Sequence, residues 1–232
     1  MPLIEKRTSV VKYIDIKTGE GVLENGDRLL YVNKDEVVEY EVHEYRKKIS
    51  FLIKSILKEN NRQLAPCKYY GICGGCNLQH MNNSEYKNYK SALLNYVSRA
   101  LNSSPQLFMH FLTKRRRANL KFVAKDGRVF FGFLKAKFNK IINIDSCFVL
   151  DELINQNFDK IIEYIKDTNL PSGEVFVLKA SENISVVITG ENLRYEFYFP
   201  SQTYETINGI NIKVSADCFL QASKETELIV KN

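Results

Sequence analysis

The chain has 232 residues, 44% of them hydrophobic, and 33 Lys and Arg against 27 Asp and Glu give a formal charge of +6. That is enough chain to bury a core in one or two domains, and the positive balance favours an acidic partner such as nucleic acid, although a mild lysine excess is common on solvated surfaces. No stretch approaches the ~20 consecutive apolar residues that span a bilayer, the opening residues Met1 to Lys6 lack the apolar run of a secretory signal, and the expected location is therefore cytoplasmic.

The first ~55 residues read as short strands separated by turns. Thr8 to Lys17 carries β-branched residues and a tyrosine, the Thr18-Gly-Glu-Gly21 and Asn25-Gly-Asp27 steps are turn chemistry, and Asp35 to Tyr45 alternates apolar with charged residues. The expectation is a small OB-like β-barrel over residues 1–60, of a kind found both in RNA-binding appendages and in β-domains with no ligand. A second unit, over 61–213, begins where Pro66 interrupts regular structure. Ser84 can cap a helix running to Leu101, with Tyr86, Tyr89, Leu93, Tyr96, Val97 and Leu101 at three- and four-residue steps. Ala118 to Phe133 and Lys140 to Val149 read as strands, Asp151 to Lys166 as a helix, and Glu174 to Thr189 and Arg194 to Phe199 as further strands. The fold class is α+β.

Within the second unit, Cys67-Lys-Tyr-Tyr-Gly-Ile-Cys73-Gly-Gly-Cys76 places three of the five cysteines in ten residues. Five cysteines are too few for a disulfide framework at this length, so thiols serving as metal ligands are expected. Two residues between thiols let both sulfurs approach one metal, and Gly74-Gly75 offers a backbone able to take positive φ and aim amides at sulfur. A closed site needs a fourth ligand from His80, Cys147 or Cys218. Cys147 is chosen, since Ile141 to Leu150 reads as a strand that would hold a thiol at its end. Spacing does not separate an iron-sulfur cluster from structural zinc, which takes the same thiolates. A redox-active Cys-x-x-Cys lacks the expected βαβ surroundings.

The motif Cys67-x5-Cys73-Gly-Gly-Cys76-x-x-Gln79-His80, followed by Tyr86, Tyr89 and Lys90, resembles the iron-sulfur signature of the bacterial 23S rRNA uracil-C5 methyltransferases. Upstream, Asp15 to Gly21 and the run from Lys34 to Val42 resemble the TRAM domain of that family. Downstream, Lys114-Arg-Arg-Arg-Ala118, Gly132-Phe133 and Ile144-Asp-Ser-Cys147 resemble its central domain, and Asp217-Cys-Phe219-Leu-Gln221 resembles the step into its methyltransferase domain. The resemblance implies a 4Fe-4S cluster on Cys67, Cys73, Cys76 and Cys147, RNA as partner, and Gln221 in contact with S-adenosylmethionine. It also implies that residues 214–232 begin a methyltransferase domain. The eleven residues after Gln221 hold no Asp-x-x-x-Gly-x-Gly cofactor loop, so the expectation is a chain truncated before its Rossmann-type domain. Such a chain would be inactive alone, and a separate chain could supply the domain. Cys218 does not match the family's nucleophile, and a buried strand cysteine is the simpler expectation.

Between Phe111 and Lys140 ten basic residues face a single acid, with Phe122, Phe130, Phe131, Phe133 and Phe138 interleaved. Strand alternation would put phenylalanines into the core and lysines into water. Arg115, Arg116, Arg117 and Lys135 are the candidate RNA contacts. A second class remains open beside this one: a zinc-bound nucleic-acid-binding module with no enzymatic role. His43 and His110 have no identifiable partners in the sequence.

Overall fold

The computed structural model describes residues 3–45, 47–104, 106, 114–207 and 209–231. The chain divides into two units, one of Met1–Gly71 with Cys76–Phe108, the other of Ile72–Gly75 with Met109–Asn232. Among the described residues the protein is mostly β, with thirteen strands and four helices. No helix among them is long and apolar enough to cross a membrane.

In the first unit, β1 (Leu3–Ile14), β2 (Gly21–Leu23), β3 (Arg28–Leu29), β4 (Val37–Tyr45) and β5 (Lys48–Lys58) form one antiparallel sheet in the order β3-β2-β1-β4-β5. The sheet curls until β3 meets β5, a half-barrel compatible with an OB-like domain. Alternation drives the curl: Val38, Tyr40 and Val42 of β4 point inward, onto Val11, Leu23, Leu29 and Val32, with Phe51 and Ile53 of β5 closing over them. A Cβ on Gly21 would lie 2.2 Å from Val32 Cγ2 and 2.9 Å from Val11 Cγ1, so β2 reaches this core only as glycine. The Asp15–Glu20 turn is closed by Asp15 N–H donating to the Glu20 carbonyl and Gly19 N–H to the Asp15 carbonyl, both at 2.7 Å. Below the barrel the buried Glu36 carboxylate accepts from Arg62 Nε (2.8 Å) and Nη2 (2.7 Å) and from Asn33 N–H (2.8 Å).

Helix α1 (Asn83–Leu101) is capped two residues before the expected Ser84: the Asn82 side chain accepts from Glu85 N–H at 2.9 Å. It ends on Asn102 in the left-handed conformation, whose N–H returns to the Ser98 carbonyl. None of its side chains is fully buried. Tyr89 Oη donates to the Ile16 carbonyl at 3.0 Å and the Lys17 ammonium lies 4.9 Å from the Tyr96 ring centroid, which sets the helix over the β1–β2 turn.

The second unit is built on six antiparallel strands, β6 (Arg117–Lys125), β7 (Arg128–Leu134), β8 (Ile141–Asn143), β9 (Ser172–Ala180), β10 (Asn183–Gly190) and β11 (Leu193–Phe199), in the order β11-β10-β9-β6-β7-β8. The helix expected over 151–166 is two, α2 (Glu152–Gln156) and α3 (Phe158–Asp167). The break is at Asn157, whose amide donates to the Leu153 carbonyl at 2.8 Å while its backbone leaves helical geometry. Phe158, Ile161 and Ile165 of α3 are buried, and Phe131 meets Phe158 edge-on at 5.3 Å while Tyr164 stacks on Phe197 at 4.2 Å. The strand expected over 140–149 is only β8, and the chain beyond it is irregular. A hairpin of β12 (Tyr204–Ile207) and β13 (Ile210–Lys213) and the helix α4 (Lys224–Lys231) follow.

Candidate metal centre and nucleic-acid interface

The thiol loop is held locally on each side. In the first unit, Tyr70 N–H donates to the Cys67 carbonyl at 3.0 Å, and the Tyr70 hydroxyl lies 2.5 Å from Nδ1 of His80, with Tyr31 edge-on to Tyr70 at 4.9 Å. His80 is 1% exposed, and burial, aided by the Arg62 charge, pushes its pKa down to about 4. Burial raises that of Tyr70. Both groups are thus neutral at pH 7, with the phenol donating to Nδ1; His80 Nε2 is buried without a hydrogen-bond partner. His80 therefore serves the loop's anchorage.

In the second unit, Cys73 makes a single antiparallel bridge with Lys135. Gly74 N–H donates to the Leu134 carbonyl at 2.9 Å and Ala136 N–H to the Ile72 carbonyl at 3.2 Å. Neither Gly74 nor Gly75 has positive φ, so the expected reason for this glycine pair is replaced by another. A Cβ on Gly74 would stand 2.9 Å from the Leu134 oxygen, and glycine is needed for that close approach. Gly75 N–H does point at Cys73 Sγ, at 3.4 Å.

Cys147 is buried, but in a turn ahead of α2 and not at a strand end. Its N–H donates to Asn155 Oδ1 (2.8 Å) and its carbonyl accepts from Asn155 Nδ2 (3.1 Å), so the amide of one side chain fixes both sides of the residue. Cys218 is exposed in a turn, its N–H donating to the Ser215 carbonyl at 3.0 Å, where a buried strand cysteine was expected. By donor type Cys67, Cys73, Cys76 and Cys147 suit a thiolate-ligated metal. Among the described residues, however, no three His, Cys, Asp or Glu side chains are gathered about a common point.

The basic segment splits into different fates. Arg115 is exposed, its backbone tied to Val149 and Asp151. Arg116 is 4% exposed, and its guanidinium donates to Glu205 Oε1 (2.5 Å), Glu227 Oε2 (2.8 Å) and the Gln221 carbonyl (3.1 Å). This corrects its assignment as an RNA contact: the donors are consumed inside the fold. Arg117 is half-buried, donates to the Leu220 carbonyl at 2.9 Å and sits 5.3 Å from the ring of Phe219. Gln221 is half-buried at the end of this same segment.

Lys135 lies 4.9 Å from the Phe138 ring, on an open depression of about 430 Å³ lined by Gly74, Gly75, Phe133 and the 134–139 turn. Phe122 and Phe131 are core, as alternation predicts, but Phe130 is 46% exposed. His43 does have a partner, Glu41 Oε2 at 3.1 Å; His110 and Phe111 lie outside the described residues. Sequence reasoning missed Asn155, Glu205 and Glu227, which carry no local motif, and Tyr70, which stands between the motif's first two thiols.

No protein-family model matches the chain. A 23S rRNA (uracil(1939)-C(5))-methyltransferase RlmD of Francisella tularensis subsp. novicida is 26% identical over 129 residues, 51% of this chain and 29% of that protein. The enzyme of the same name from Idiomarina loihiensis is 23% identical over 200 residues, 80% of this chain and 44% of its own. An RNA methyltransferase of Aquifex aeolicus described as uncharacterized is 27% identical over 143 residues, 59% of this chain and 33% of its own. The matched region thus spans 29% to 44% of the length of these relatives. At this low identity, and across 51% to 80% of its length, the chain is homologous to the bacterial 23S rRNA (uracil-C5)-methyltransferases.

Proposed function

We propose that these residues form the RNA-recognition part of an RNA (uracil-C5)-methyltransferase, with a TRAM-type barrel followed by a region that carries a 4Fe-4S cluster on Cys67, Cys73, Cys76 and Cys147. The observation that carries the reading is the likeness to named rRNA methyltransferases over 200 residues, in a chain whose three clustered thiols are followed by ten cations between Phe111 and Lys140. In this reading the chain works on ribosomal RNA in the cytoplasm. The cluster's part is structural, cross-linking backbone by metal-thiolate bonds. Asn155 and Gly74 are the residues of this chain that would keep Cys147 and Cys73 in place for it.

RNA contact falls to Arg115 and to Lys135 beside its depression, with Arg117 able to add a cation only where Phe219 leaves its face open. Methyl transfer to C5 requires a nucleophile, a base and bound S-adenosylmethionine, supplied by a catalytic domain in the same polypeptide or in a partner chain. Gln221 is the candidate cofactor contact. These 232 residues assayed by themselves are expected to bind rRNA fragments and not to methylate them.

The test is anaerobic purification followed by visible absorption and iron and sulfide analysis. A brown protein with about four irons is expected on this reading. A colourless protein with one zinc would overturn it in favour of a zinc-bound nucleic-acid-binding module, which the same thiols could also serve.

A further inference from the structure

We propose that the open face of the β6–β7 hairpin is a stacking platform for unpaired RNA bases, with Phe130 as the stacking side chain and Lys125 and Arg128 as phosphate contacts. The inference rests on the RNA reading above and deepens it by naming single-stranded RNA as the ligand of this face.

Strand register fixes what surrounds the ring. Val123 stands directly opposite Phe130, and the two are 36% and 46% exposed, so an aromatic ring and its cross-strand neighbour form one apolar patch facing water. On the same face, the next pair toward the turn is Lys125 opposite Arg128, and the next pair away from it is Lys121 opposite Gly132. Gly132 puts no side chain beside the ring; the place its Cβ would take is filled by the Ile142 carbonyl oxygen, 2.1 Å away. The ring is thereby bordered by three cations and a glycine.

Two of those cations are placed at a cost. Like charges directly across an antiparallel pair repel, and among the described residues neither Lys125 nor Arg128 is in an ion pair, whereas Lys121 is bound to Glu174. The Asp126-Gly127 turn between them takes positive φ at both positions, 50° and 71°, the two-residue form that holds the strands in register and the two side chains side by side. The other face of these strands needs no exposed aromatic, since Phe122 and Phe131 already fill the core there. A flat ring flanked by unneutralised cations suits a ligand with planar bases on an anionic backbone, and only unpaired bases offer their faces. A duplex offers none.

The experiment is fluorescence anisotropy with the whole chain and a labelled twelve-nucleotide oligouridine, compared with a twelve-base-pair RNA duplex. Wild type is expected to prefer the single strand, Phe130→Ala to bind it about tenfold more weakly, and Phe130→Trp to keep the affinity. Lys125→Glu with Arg128→Glu should weaken binding and flatten its salt dependence. Because Phe130 is half-exposed, circular dichroism should show the alanine variant folded. Wild-type affinity in Phe130→Ala would overturn the platform while leaving the RNA reading intact. A protein that binds no RNA at all would overturn both. Self-association lost in Phe130→Ala, with RNA binding unchanged, would assign the face to a second copy of the chain and overturn the platform.

Discussion

Arg116→Ala separates the structural arginine from its neighbours in the Arg115–Arg117 run. The side chains of Arg116, Glu205 and Glu227 are 5%, 2% and 9% exposed, so removing the guanidinium strands two carboxylates in a site that water barely reaches. Breaking a buried ion pair from one side costs about 3–5 kcal/mol. Lys224 also reaches both carboxylates, but its side chain is 53% exposed and screened, which argues for the lower end, about 3 kcal/mol. For a unit of this size each kcal/mol moves the melting temperature by roughly 3–4 °C, so a fall of about 10 °C is expected. Arg115→Ala, at an exposed position, should stay within about 0.5 kcal/mol of wild type while weakening RNA binding. The assay is thermal and urea unfolding followed by circular dichroism, with RNA affinity measured on the same samples. If Arg116→Ala melts with wild type and loses RNA affinity as Arg115→Ala does, the buried ion cluster is wrong and Arg116 faces the ligand. Simultaneous replacement of Arg116, Glu205 and Glu227 by leucine should recover most of the stability, since no charge is then stranded.

Cys147→Ser should lose the metal while Cys218→Ser keeps it, read as iron content after anaerobic purification; the opposite pattern would move the fourth ligand to Cys218. His80 sets a pH dependence. Its folded pKa of about 4 lies below the usual 6.5, so the unfolded chain binds the extra proton between those values. Stability from this group is complete above pH 6.5 and is lost as pH falls toward 4, with a loss of about 2 kcal/mol by pH 5. Urea unfolding at pH 8 and pH 5 should show that loss in wild type and a smaller one in His80→Gln, and equal pH dependence in both would place the titration elsewhere. Gly74→Ala should displace the Cys73 loop, because its methyl would meet the Leu134 backbone oxygen at 2.9 Å; retention of full metal content in this variant would show that the close approach is not required.

The strand over Asp35–Tyr45 was legible because its signal is local: alternation in Val38, Tyr40 and Val42 acts over two or three residues, and the fold honours it. The strand β5 and the Asp126-Gly127 turn that divides the expected 118–133 stretch into β6 and β7 were not read from the sequence. The split of the expected 151–166 helix was not legible, since periodicity continues through Asn157 and only its side chain's bond to Leu153 shows the interruption. The β12–β13 hairpin was missed as well. Its strands are only four residues long, too short for the Ile210-Asn-Ile-Lys213 alternation to stand out, and β13 is exposed throughout.

The candidate site shows the same division more sharply. Three thiols in ten residues are a local pattern that raises the expectation of a ligand set, although the described residues gather no such group about one point. What holds Cys147, the proposed fourth ligand, is Asn155, eight residues away across a turn that no spacing rule marks. The Arg115–Arg117 triplet misled for the reverse reason: adjacent in sequence, its members alternate across a strand edge, so one reaches solvent, one is buried against acids 89 and 111 residues later, and one lies half-covered. A charge run therefore says that cations are present and leaves open which of them are available. Availability depends on where distant carboxylates fold, and on the β6–β7 hairpin it is Lys125 and Arg128, outside the triplet, that no such carboxylate among the described residues neutralises.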